Sequence, residues 1–384
     1  MKSIQLSALL LLLFSSRNLA ISQPIESPKA SSAHQFYLGA DLSYVNEMED
    51  CGGWWSIKGA KKDPYALFAD AGCSIVRVRI WNHADWTKYS NLEDVKKTIR
   101  RSKDQKMRVL LDFHYSDNWA DPGHQTIPKA WKEITEPKIL ADSVFAFTYN
   151  TLMALAADGL LPDLVQVGNE INSEVMQYSE KSEGKINWER NVTLLNSGLS
   201  AVNQVSKKTK KPIGTMLHIA QPDEAFAWFS AAKQHGIKPY DWIGLSYYTQ
   251  WSKFDLAQLK AEIQKLKTTF KKRVMVVEAG YPFTLENADQ ANNLYDTTSQ
   301  LHGYTISPAE QRRFMIDMTK AVISGGGEGV IYWEPAWIST NCKTQWAVGS
   351  HCDNATFFDP ANKNEALPVF DFFNEALYKK PKPK

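Results

Sequence analysis

Charge of one sign is all but missing from these 384 residues: 44 lysines and arginines against 42 aspartates and glutamates leave a formal net charge of +2. No basic stripe runs along the chain, which argues against a nucleic-acid partner. Long apolar runs are missing too. Leu6-Ser-Ala-Leu-Leu-Leu-Leu-Leu-Phe14 is too short to span a bilayer comfortably, and no later segment does better, so no membrane association is expected. There is no G-x-S-x-G elbow for a serine esterase, no P-loop and no G-x-G-x-x-G. Helical zinc-ligand spacing such as H-E-x-x-H is absent as well. Cysteine is scarce, with four residues that fit an oxidising compartment and allow three pairings. Cys342 and Cys352 could clip one loop-like segment, leaving Cys51 with Cys73; alternatively Cys73, beside an apolar run, is a free buried thiol.

What is present begins with an address. Lys2, the apolar run to Phe14 and the small residues of Ala20-Ile-Ser22 read as a secretory signal over residues 1–22, with a mature start near Gln23. No cysteine follows that could carry a lipid. Residues 23–35 are Ser/Pro-rich and read as a flexible lead-in. The rest, residues 36–380, reads as one catalytic domain in a secreted or periplasmic protein.

From Tyr37 onward, short apolar runs alternate with amphipathic stretches. The runs begin at Tyr37, Ile75, Met107, Leu164, Pro212, Trp242, Val274 and Gly329, which makes eight. Helical patterns are clearest at 91–105, 137–158, 190–210, 255–270 and 308–324. The last opens on Ser307-Pro308-Ala-Glu310, an N-cap, an N1 proline and a capping-box glutamate. Eight strand–helix units predict an α/β fold, a single (β/α)₈ TIM barrel. The surplus residues lie in long loops after the strands, forming an open groove at the strands' C-terminal ends, where such barrels build their sites. Those ends read Asp41, Trp81-Asn82, His114, Asn169-Glu170, His218, Tyr247-Tyr248, Glu278 and Trp333-Glu334.

Two of these carry the chemistry. Leu164-Val-Gln-Val167 runs out through Gly168 onto Asn169-Glu170, and Val274-Met-Val-Val277 runs out onto Glu278 before Gly280 and Pro282. An acid at the end of a buried strand is cheap to hold only where it faces a polar cleft. Two such acids far apart in sequence predict a carboxylate pair across one sugar linkage. Glu170 suits the acid, with the Asn169 amide placed to hold a sugar hydroxyl. Glu278 suits the nucleophile if Arg77 or Arg79 and Tyr247 or Tyr248 point at it.

Aromatic residues make up 12% of the chain, including 13 tryptophans, and either fill a core or stack on sugar rings. Trp54-Trp55, Trp81, Trp86, Trp251, Trp333 and Trp337 are possible platforms, Trp333 standing out at the end of the eighth run. The stretch from Asp112 to His124 admits a metal reading through His114, Asp117, Asp121 and His124. Its spacing favours a sugar-binding loop instead, with His114 on the cleft floor and Trp119 as a wall. His114 and Asp112 could equally form a buried pair. The predicted substrate contacts are Asp41, Arg79, Trp81, His114, Asp117, Trp119, Asn169, His218, Tyr247, Tyr248, Trp251 and Trp333, with no catalytic metal. Asn191-Val-Thr193 and Asn354-Ala-Thr356 are glycosylation sequons.

Several motifs together resemble one family. They are Gly39-Ala-Asp-Leu-Ser43, Val76-Arg-Val-Arg-Ile-Trp81, the stretch Asp112 to Gln125, Gln166-Val-Gly-Asn-Glu-Ile-Asn172, Gly244-Leu-Ser-Tyr-Tyr248 and Val277-Glu-Ala-Gly-Tyr-Pro282. The chain resembles glycoside hydrolase family 53, the arabinogalactan endo-β-1,4-galactanases, within the clan of retaining (β/α)₈ glycosidases. That resemblance implies Glu170 as acid/base, Glu278 as nucleophile and an endo-acting, retaining enzyme on β-1,4-galactan; a monomer that requires no cofactor is expected. Some bacterial members hold calcium after the seventh strand; here residues 284–293 offer oxygen ligands for a structural calcium without a closely spaced Asp/Gly-rich pattern. The alternatives are a clan member acting on β-mannan or β-glucan, and a catalytically inactive glycan-binding barrel.

Overall fold

The computed structural model describes residues 36–179 and 185–379; the expected signal and lead-in lie outside the described residues. Eight parallel strands close into a barrel in chain order. They are β1 (Tyr37–Asp41), β2 (Ile75–Ile80), β3 (Arg108–Phe113), β4 (Leu164–Val167), β5 (Gly214–Ala220), β6 (Trp242–Tyr247), β7 (Arg273–Ala279) and β8 (Gly329–Tyr332). Closure places β1 against both β2 and β8.

Among the described residues, beside the short helix Val45–Asp50 after β1, the barrel is covered by α1 (Pro64–Ala71), α2 (Leu92–Asp104), α3 (Pro137–Ala157), α4 (Trp188–Thr209), α5 (Pro222–Gln234), α6 (Leu256–Phe270) and α7 (Pro308–Ser324). A 3₁₀ segment, Pro368–Phe373, packs where an eighth helix would follow β8. The helices α1 and α5 were not among the patterns read from the sequence, but each starts on a proline at N1, and Asp63 caps α1 by accepting from the Ala66 N–H. By length and composition α3 is apolar enough to cross a membrane. It sits between β3 and β4, packs along α4, and buries Leu140, Val144, Leu152 and Leu155 in the outer core.

Strand alternation decides what fills the barrel. Near its N-terminal end the interior is apolar, with Tyr37, Ile75, Leu110, Leu164, Met216, Trp242 and Met275 among one cluster. Two residues further along β2, β3, β4 and β5 the inward positions turn polar: Arg77, Asp112, Gln166 and His218, all buried. Gly39 is required by this crowding, because a Cβ there would meet Ile75 Cγ2 at 2.6 Å.

One expected disulfide is corrected. The bridge joins Cys51 to Cys342, with Cα atoms 5.5 Å apart, while Cys73 and Cys352 are free and buried. Cys51 follows β1 and Cys342 follows β8, and closure makes those strands neighbours despite a separation of 291 residues. Both sequons are also corrected as acceptors: Asn191 and Asn354 are buried, and their amides hold loops through Val175 N and through the Thr284 and Tyr295 carbonyls.

Candidate active site

A cleft of about 1030 Å³ opens at the C-terminal ends of the strands, with Glu170 and Glu278 in its lining. One carboxylate oxygen from each, and a ring nitrogen of His218, lie within 4.8 Å of one another.

Glu278 reaches the cleft through an irregularity. In β6–β7 pairing, Leu245 faces Val276 but Ser246 faces Glu278, so Val277 is an extra residue. Val277 belongs to the barrel's interior cluster, and the bulge turns the next side chain inward as well. There Arg77 Nη2 pairs with Glu278 Oε1 at 2.8 Å, and the Tyr248 hydroxyl donates to Oε2 at 3.0 Å. Arg77 is anchored by Asp41 at 2.8 Å and Asp112 at 2.7 Å, and it donates to Asn169 Oδ1 at 2.7 Å. Burial pushes the Glu278 carboxyl up to about 7; Arg77 opposes the rise, and the nearby acids Asp112 and Asp41 add to it.

Glu170 sits at φ +43° just after Gly168 at φ +87°, a left-handed turn that ends β4. Such backbone strain concentrates at functional sites. Its Oε1 accepts from Ser246 Oγ at 2.5 Å. Beneath it, His218 Nδ1 lies 3.0 Å from both Gln166 Nε2 and Asn169 Oδ1 and 3.3 Å from the Glu170 N–H. Because the Ser246 hydroxyl hydrogen goes to Glu170, Nε2–H donates to Ser246 Oγ at 2.9 Å and Nδ1 is the acceptor. Burial, helped by Arg77, holds the His218 pKa well below its ordinary value, so the ring is neutral. Burial and then the Glu278 charge raise the Glu170 carboxyl well above its usual range. Of the pair, the carboxyl beside Arg77 ionises first and Glu170 keeps its proton.

Six of the twelve predicted contacts line the cleft: Asp117, Trp119, Asn169, Tyr248, Trp251 and Trp333. The other six do not, and each for a visible reason. Asp41 is turned to Arg77 and Ser43. His114 takes the buried-pair alternative, 3.0 Å from Asp112. His218 lies beneath Glu170 and is fully buried. Tyr247 points to the opposite face from Tyr248, and its hydroxyl donates to the Phe254 carbonyl. Arg79 pairs with Glu334 at 2.6 Å and lies over the Tyr44 and Trp119 rings. Trp81 packs edge-on against Trp119 from behind. Arg79 and Trp81 thus hold the wall in place without forming its surface.

Among residues the sequence analysis did not single out, Ser246 and Gln166 stand at inward strand positions that period-two alternation would have flagged. Trp346 and Tyr178, exposed in the cleft lining, come from loops with no such pattern.

Glu170, His218 and Glu278 also have the spacing of a metal site. Arg77 already occupies Glu278 Oε1, and both His218 nitrogens are engaged, so the set does not fit a cation. Two carboxylates at the loop after β7 are likewise engaged. Asp289 accepts from Ala291 N and Ser350 N, and Asp353 from Ala288 N and the Asn293 amide, so N–H donors engage all four carboxylate oxygens.

A closed (β/α)₈ barrel with a buried, unequal carboxylate pair on the floor of an aromatic-walled cleft has the architecture of the barrel glycoside hydrolases. The model of glycosyl hydrolase family 53 matches residues 37–373, and the chain belongs to that family. An arabinogalactan endo-β-1,4-galactanase of Cellvibrio japonicus is 54% identical over 88% of this chain and 90% of its own length. An endo-β-1,4-galactanase of Bacillus subtilis is 34% identical over 81% of this chain and 72% of its own length. Among solved structures, the family 53 catalytic domain of Ignisphaera aggregans superposes with a TM-score of 0.81 at 27% identity, covering 92% of this chain and 99% of that one. A fungal β-1,4-galactanase superposes at 0.75 with 28% identity, covering 88% and 98%. The protein is thus a glycoside hydrolase.

Proposed function

We propose that this enzyme cleaves β-1,4-galactosidic bonds within galactan and type I arabinogalactan, with net retention by double displacement, and that Glu170 and Glu278 are its catalytic residues. The observation that carries the reading is the pair itself: two carboxyl groups within 4.8 Å, one propped by a guanidinium and the other not. Retaining enzymes use carboxyl groups roughly 5–5.5 Å apart, whereas inverting ones leave room for a water between them.

In this account Glu278 attacks the anomeric carbon while Glu170 gives its proton to the departing glycosidic oxygen. A glycosyl ester forms on Glu278. Glu170, now a carboxylate, takes a proton from water, whose oxygen attacks the same carbon and releases Glu278. The Asn169 side-chain oxygen is clamped by Arg77 and Gln166, and one amide N–H donates to the Ala120 carbonyl; the other is free to meet a sugar hydroxyl. Trp119, Trp251, Trp333 and Trp346 offer faces for successive rings. A cleft open along its length suits internal cleavage of a chain.

The polysaccharide is its partner, and the protein acts as a monomer, secreted or periplasmic. The Cys51–Cys342 bridge supports an oxidising compartment. The test is a panel of debranched galactan, β-mannan and β-glucan with products weighed by mass spectrometry. Oligosaccharides from galactan alone support the reading; preference for another glycan overturns it. Glu278→Ala should keep substrate binding while kcat falls on the order of 10³-fold or more. Undiminished turnover would remove Glu278 from the mechanism.

A further inference from the structure

Of the 13 tryptophans, Trp54 alone has no aromatic ring or cation against its indole among the described residues. Its neighbour Trp55 is buried and donates to the Ala336 carbonyl. Trp54 instead lines a second cavity of about 590 Å³, built from the loops after β1, β7 and β8 and so on the same end of the barrel as the cleft. The two linings share no residue, yet they use the same two loops: Gln290 and Asn341 face this cavity where Tyr295 and Trp346 face the cleft.

The chemistry of the lining is selective. It contains no lysine, arginine or histidine, so it has nothing to hold an anion. Its one carboxylate, Asp289, already accepts two backbone N–H groups. The side chains of Gln290, Ser339 and Asn341 make no hydrogen bond within the described residues, nor does the indole N–H of Trp54. The walls are tied together: the Cys51–Cys342 bridge joins two of the loops, and the Asn364 amide donates to the Trp54 carbonyl at 3.0 Å. An unpartnered aromatic face ringed by uncharged amides and a hydroxyl is what a neutral pyranose requires.

We propose that this cavity is a second carbohydrate-binding site, gripping a distant stretch of the polysaccharide whose cleaved linkage lies in the main cleft. The proposal rests on the glycan-cleaving reading above. It adds affinity for long chains only, because a second contact on one chain acts through effective concentration.

The test uses Glu278→Gln protein, which does not consume its ligand, in native gels containing whichever of galactan, β-mannan or β-glucan retards it most. Adding Trp54→Ala should weaken polymer affinity about three- to tenfold. Gln290→Ala/Asn341→Ala should weaken it in the same direction. In the Glu278-containing enzyme, kcat/KM on the corresponding tetrasaccharide should stay unchanged for both, with unaltered melting temperature. Unchanged polymer affinity in both variants overturns the proposal, as does an equal loss on tetrasaccharide and polymer. Retardation by mannan or glucan instead of galactan sinks the substrate reading while leaving this test intact. Retardation by none of the three sinks both.

Discussion

Ser246 and Tyr248 are two residues apart on one strand end and serve opposite members of the carboxylate pair. Ser246 donates to Glu170 and lowers its pKa; Tyr248 donates to Glu278 and lowers that one. A glycosidase that needs Glu278 ionised and Glu170 protonated should show a bell in kcat/KM against pH, which reports the free enzyme. Activity rises as Glu278 loses its proton and falls as Glu170 loses its own. Tyr248→Phe should therefore move the acidic limb to higher pH and leave the alkaline limb in place. Ser246→Ala should move the alkaline limb to higher pH. A Tyr248→Phe profile displaced only on its alkaline side would contradict the assignment. At this scale the sequence was most informative where a strand ran out on an acid. It was least informative for Asp41, His114, His218 and Tyr247, because strand-end position says that a side chain is near the cleft, while its neighbours decide whether it reaches it.

Strand β7 carries one extra residue, Val277, immediately before Glu278. Alternation that puts Met275 and Val277 inside the barrel would put Glu278 outside, and the shift between Leu245 and Ser246 reverses that. Deleting Val277 should remove the bulge and leave Glu278 inward by plain alternation after Met275, still opposite Ser246, while taking Val277 out of the interior cluster. Turnover should therefore survive in a less stable protein, and a variant that folds by circular dichroism but shows no hydrolysis would contradict this. Strands were legible from their apolar runs, and α7 from its cap and proline. The bulge was not, since Val274-Met-Val-Val-Glu278 reads as an unbroken run and only pairing with β6 exposes the extra residue. The disulfide was illegible for a related reason: neighbours in a closed barrel need not be neighbours in the chain. Cys51→Ser and Cys342→Ser should each cost about 2–4 kcal/mol in chemical denaturation. Tetrasaccharide turnover at 25 °C should change little, because neither cysteine lines the cleft. Equal stability of wild type and both variants would show that the bridge does not form.

The molecule as a whole carries a set of buried acids whose stability cost appears as pH rises. Burial lifts Glu47 and Glu278 to about 7 and Asp353 to about 6. In the unfolded chain these groups titrate near their ordinary values of 4.5 for glutamate and 3.8 for aspartate. Their contribution is therefore fully present below the unfolded values and is lost as pH climbs through the folded ones, where the unfolded state binds fewer protons. The denaturation midpoint should fall between pH 5 and pH 8, and a midpoint that rises over that interval would contradict the burial of these groups. The same burial makes the cleft floor a place where two carboxyl groups hold different protonation states, on which cleavage with retention depends. Proton NMR of galactan in the first minutes of hydrolysis tests that most directly. The account predicts that new reducing ends appear as the β-anomer and only later mutarotate, whereas first appearance of the α-anomer would contradict it.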